Sequence, residues 1–86
     1  MAKKKNEKPT DAEIEIFLGK IGERLRQLRT DGGYTSYEQF AYEHNIGRAQ
    51  YGKYERGTED LRISSLYKVV AAFGISMEEF FREGFE

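Results

Sequence analysis

The chain has no cysteine and one histidine, His44, so it can build neither a disulfide framework nor a thiolate metal site nor a histidine cluster. No metal or cofactor is expected, and the composition fits a reducing cytoplasm. No run approaches the about 18 apolar residues of a membrane span, and the lysines near the N-terminus have no apolar segment behind them. Neither membrane association nor a secretory leader is expected. Nucleophile-base pairs, metal-ligand clusters and phosphate-cradling glycine loops are also missing, which argues against an enzyme. Basic charge is not in excess either. The formal net charge is −1 and the pI is near 5.9, which differs from the usual footprint of a nucleic-acid binder.

Charge distribution is more informative than the total. Residues 1 to 10 carry Lys3, Lys4, Lys5 and Lys8 against Glu7, a net +3 out of a total of −1, so residues 11 to 86 carry −4. Attraction to phosphate must then come from local placement of Lys20, Arg24, Arg26, Arg29, Arg48, Lys53, Arg56 and Arg62, together with the N-terminal lysines. Residues 1–9, which end in the only proline, Pro9, read as a flexible lysine-rich arm that is either solvated or laid along DNA through Lys3, Lys4 and Lys5. Residues 10–86 read as one small domain, near the size at which a single core folds unaided.

Helix signals account for that domain. Thr10 with Glu13 makes a capping box, followed by Ile14, Leu18, Ile21, Leu25 and Leu28 on one amphipathic face that ends at Asp31-Gly32-Gly33. Ser36 with Gln39 repeats the box for a helix over about 37–44, with Tyr34 as a hydrophobic staple. A third helix spans 48–56 and stops at Gly57. A fourth places Ile63, Leu66, Val69, Val70 and Phe73 on one face, and Ser76 with Glu79 opens a short fifth. No segment alternates with period two, so the expectation is all-α with five helices.

The stretch from Ser36 to Gly57 carries the functional reading. Two short helical segments flank Asn45-Ile46-Gly47, which leaves room only for a sharp turn. Ala41 provides a small side chain where the helices cross, and Asn45 tolerates a left-handed backbone. This is the layout of a helix-turn-helix, in which the helix over 48–56 reads the DNA major groove. Tyr51 and Tyr54, three apart, are core aromatics, and His44 is a partly buried turn residue. Gly52 stands out. Glycine inside a helix costs about 1 kcal/mol against alanine unless something must approach closely.

Three segments, IGERLRQLR from Ile21, FAYEHNIGRAQYGKYERG from Phe40 and SSLYKVVAAFGISMEEFF from Ser64, in this order and spacing, resemble the phage repressor and Cro (Xre-type) helix-turn-helix family. The resemblance implies a five-helix bundle of the lambda-repressor-like DNA-binding type, with the helix-turn-helix at helices 2 and 3. It implies double-stranded DNA as partner, Tyr37 meeting a phosphate or packing on the surface, and Arg48, Ala49 and Lys53 at base-reading positions. Arg48 can donate twice to guanine O6 and N7, Lys53 can reach guanine or phosphate, and Ala49 can touch a thymine methyl. Gln50 stands beside them, and Arg56 is placed for phosphate. Gly47 departs from the family pattern, since Ser or Thr usually caps the recognition helix there.

Phe80, Phe81 and Phe85 exceed what a short terminal helix needs and suggest a patch for a homodimer, the form in which such proteins read two half-sites. The resulting expectation is a cytoplasmic transcriptional regulator, most simply a repressor occupying an operator. The alternative is an antitoxin or other protein-interaction module of the same fold.

Overall fold

The Thr10 hydroxyl accepts the Glu13 amide at 3.1 Å, and the Glu13 carboxylate accepts the Thr10 amide at 2.7 Å, which is the reciprocal box that starts a helix. From this start α1 runs Asp11–Asp31, followed by α2 (Tyr37–Glu43), α3 (Arg48–Arg56), α4 (Ile63–Ala72) and α5 (Met77–Phe80). The computed structural model describes residues 8–86, so Lys3, Lys4 and Lys5 lie outside the described residues. Among the described residues every regular element is an α-helix.

The 21 residues of α1 extend about 31 Å at 1.5 Å per residue, whereas the molecule measures 43 × 23 × 21 Å. The helix is therefore longer than the body is wide, and only part of its apolar face is covered. Ile21 and Leu25 are buried and Leu18 and Leu28 half-buried, but Ile14, expected on the same buried face, is 43% exposed because its turn lies outside the core. The helix ends where the Gly32 amide returns to the Leu28 carbonyl at 3.0 Å.

Only half of the second expected capping box forms. Ser36 Oγ accepts the Gln39 amide at 3.3 Å, but the Gln39 side chain donates to Glu43 at 3.1 Å instead of turning back to the cap. Tyr34 takes over the anchoring. Its ring stands edge-on to Phe40 at 5.3 Å and its hydroxyl donates to Glu43 at 2.9 Å, which raises the Tyr34 pKa above the ordinary tyrosine value. His44 closes α2 with its ring 4.5 Å from Phe40, and Asn45 adopts the expected left-handed conformation at φ 58°.

Behind the helix-turn-helix, α4 contributes Leu66, Val69 and Val70 to the core, while Phe73 stacks on Phe40 at 4.6 Å. Ile63 was expected on that face. It is instead 72% exposed, as the first residue of α4, one turn ahead of the first buried one. Ser76 and Glu79 form the full capping box of α5, whose hydrogen bonds lower the Glu79 pKa.

Of the three residues expected in a dimer patch, one lies inside the core. Phe80 is 0% exposed and belongs to the core. Phe81 and Phe85 are half-buried and pack on Phe17 of α1 at 6.3 and 5.7 Å, so the long first helix covers part of their apolar surface. Arg24 locks this corner. Its Nε donates to the Phe80 carbonyl at 2.8 Å, Nη2 to the Glu79 carbonyl at 3.1 Å and Nη1 to Glu83 at 3.2 Å, with the guanidinium 5.8 Å from the Phe80 ring centre.

Candidate nucleic-acid interface

With about 3.6 residues per turn, a nine-residue helix presents two faces, and in α3 they divide cleanly. Tyr51, Gly52 and Tyr54 are buried, together with the Glu55 side chain, whereas Arg48, Ala49, Gln50, Lys53 and Arg56 are exposed. The inward face fixes the helix and the outward face is open to solvent.

Close approach to α1 holds the inward face. A Cβ on Gly22 would collide with the Glu55 carbonyl oxygen and lie 2.7 Å from that of Tyr54, so the two helices cross backbone to backbone at this glycine. Next to the crossing, Arg29 Nε and Nη2 donate to the two Glu55 carboxylate oxygens at 2.7 and 3.1 Å, and Nη1 donates to the Tyr34 carbonyl at 2.7 Å. The two side chains are 7% and 8% exposed. This buried, bidentate pair ties α3 to α1 and to the loop before α2, and its hydrogen bonds raise the Arg29 pKa further. Tyr51 Oη is buried beside the pair without a hydrogen-bond partner among the described residues. Burial first, and the Glu55 carboxylate second, push its pKa far up.

Arg24 and Arg29, counted with the phosphate-attracting cations on sequence grounds, are therefore internal and committed to carbonyls and carboxylates. Arg48, Lys53 and Arg56 make no ion pair or side-chain hydrogen bond among the described residues. Gly47 caps α3 without any side-chain oxygen, leaving the first-turn amides free of side-chain partners.

Tyr37, the first residue of α2, is half-buried with its ring 6.3 Å from that of Tyr51. It also accounts for the helical glycine. A Cβ on Gly52 would stand 2.9 Å from Tyr37 Cε1 and 3.1 Å from its Oη. The close approach that a mid-helix glycine implies is made by a side chain of the neighbouring helix.

Sequence reasoning missed the Gly22 crossing and the Arg29–Glu55 pair. The signal for the pair was present: Arg29 lies four residues after Leu25 and eight after Ile21, on the apolar row of α1, where an arginine must find buried acceptors. Among the described residues no three His, Cys, Asp or Glu side chains could hold a metal ion, and no helix is long and apolar enough to cross a membrane.

Two helices joined by a tight turn, the second showing an open face of unpaired cations, define a helix-turn-helix DNA-binding domain. A family profile described as helix-turn-helix matches residues 25–80. The chain is 31% identical over 71 residues to the control protein C.MunI from a Mycoplasma species, covering 83% of this chain and 92% of the relative. It is also similar to the crystal structure of the restriction-modification controller protein C.AhdI from Aeromonas hydrophila. That match has a TM-score of 0.69 and 35% identity, over 77% of this chain and 98% of the other. The chain belongs to the helix-turn-helix family of the Cro/C1 (Xre) type, and it is a DNA-binding transcriptional regulator.

Proposed function

We propose that this protein controls transcription of a restriction-modification system by binding an operator as a homodimer in the cytoplasm, with the outward face of α3 in the major groove. The observation that carries the DNA reading is the set of unpaired cations on that face, Arg48, Lys53 and Arg56, in a body whose two interior arginines, Arg24 and Arg29, are neutralised. Arg48 and Lys53 donate to guanine edges, Ala49 contacts a thymine methyl, Gln50 bonds adenine or backbone, and Tyr37 and Arg56 bond phosphates. The likeness to two controller proteins supports the restriction-modification assignment. The protein performs no chemistry itself. Binding represses by occupying the operator. Lys3, Lys4 and Lys5 add sequence-independent attraction as an N-terminal arm.

The dimer contact in this reading lies on α4. Ile63 and Tyr67 are 72% and 62% exposed one turn apart, and Tyr67 borders a shallow groove of about 210 Å³ lined by Val70, Ala71, Ile75 and Met77. A two-fold pairing of this surface with a second copy covers the stripe and sets two α3 helices for half-sites about one DNA turn apart.

Titration of duplex DNA from the promoter of a neighbouring restriction or methyltransferase gene, at several salt concentrations, tests the proposal. Binding that weakens steeply with salt and prefers the promoter over random duplex supports it. Absence of salt-dependent binding favours the protein-interaction module, the antitoxin-like alternative that the net charge of −4 on residues 11 to 86 accommodates.

A further inference from the structure

We infer that Gly52 is a positioning residue for DNA recognition: at the margin of the buried face of α3 it leaves room that the Tyr37 phenol fills, presenting the hydroxyl as a neutral donor to a DNA phosphate. The inference rests on the DNA-reading role of α3 and assigns one part of it.

Residues four apart on a helix share a row, so Arg48, Gly52 and Arg56 lie along one edge of α3. Both arginines are exposed and unpaired, whereas the position between them has no side chain. Tyr37 reaches into that gap from α2 with the hydroxyl end of its ring: a Cβ at position 52 would stand 2.9, 3.1 and 3.1 Å from Cε1, Cζ and Oη. A ring borrowed from α2 thus completes a row that α3 leaves open. Rigid packing of this kind orients a side chain more sharply than a flexible residue on α3 itself could.

The hydroxyl is the second part of the argument. Tyr37 Oη makes no hydrogen bond among the described residues, and unlike Tyr51 Oη it is not sealed in the core. A neutral donor packed at Gly52, on the helical row that also carries the exposed Arg48 and Arg56, suits an anionic oxygen, and the ligand that this helix face meets supplies phosphates in a regular row. Alanine is the better helix former at position 52, but its methyl group would drive the phenol out of the row.

Fluorescence-anisotropy titrations of a selected and a scrambled duplex separate this role from plain packing, with melting temperatures measured for each variant. Tyr37→Phe keeps the ring and removes the donor. It should melt like the wild type and lose about fivefold in affinity on both duplexes equally, the effect of one neutral hydrogen bond. Gly52→Ala should weaken binding about fivefold in the wild-type background but less than about twofold when added to Tyr37→Ala, because the ring it displaces is then absent. Equal loss from Gly52→Ala in both backgrounds, or wild-type affinity for Tyr37→Phe, overturns the inference while leaving DNA binding intact. Failure of the wild-type protein to bind either duplex overturns the underlying reading and the inference together.

Discussion

The arginines of α1 and those of α3 belong to one small domain and have opposite roles. Arg24 and Arg29 lie on the apolar row of α1 and are buried; Arg24 is held by two carbonyls and the Glu83 carboxylate, Arg29 by one carbonyl and both oxygens of Glu55. Arg48 and Arg56 lie off the buried face of α3 and meet only solvent. A guanidinium cannot be buried without partners, so the α1 pair must be neutralised, whereas the α3 pair stays charged and available. The count of basic residues therefore says little about DNA affinity here, and their position relative to the apolar row says much.

The largest expected effect breaks the interior half of this contrast. Glu55→Ala strands the Arg29 guanidinium in the core and should lower stability by about 3–5 kcal/mol, a large part of what a domain of this size has. Urea denaturation measures it, and replacing both residues with apolar ones of similar volume should recover much of the loss. On the outward half, Arg48→Ala should leave the denaturation midpoint unchanged and cost about 1–3 kcal/mol of binding to a selected duplex. Arg56→Ala should weaken selected and scrambled duplexes alike and reduce the salt slope by about one.

The smallest effect concerns Tyr51. Its phenol ionises near 10.0 when unfolded, while burial and Glu55 hold it protonated to higher pH in the folded state. The linked stability is therefore complete below pH 10 and is lost as pH rises beyond it. Tyr51→Phe should flatten this alkaline decline. Near neutral pH it should change stability little, because the hydroxyl it removes has no partner.

Much of this architecture was legible in the sequence. The caps at Thr10 and Ser76, the left-handed Asn45, the bounds of α3 and the burial of Tyr51 and Tyr54 all follow from local signals, because they depend on neighbours within one or two turns. Pairings between distant helices were not legible. Arg29 with Glu55, Gly22 against the end of α3, and Phe17 against Phe81 and Phe85 depend on how α1 crosses the other elements. Gly52 lies between the two cases: its oddity was visible, but its cause, Tyr37, became visible only once α2 was folded against α3.

Selection of binding sites from random DNA, run in parallel with the wild-type protein and Arg48→Ala, tests most directly whether the outward face of α3 reads base edges. The account predicts that the wild type enriches a site of two related half-sites, and that Arg48→Ala loses preference at one position in each while keeping the rest. Contradiction would come from no enriched sequence with the wild type, or from Arg48→Ala enriching an unchanged one.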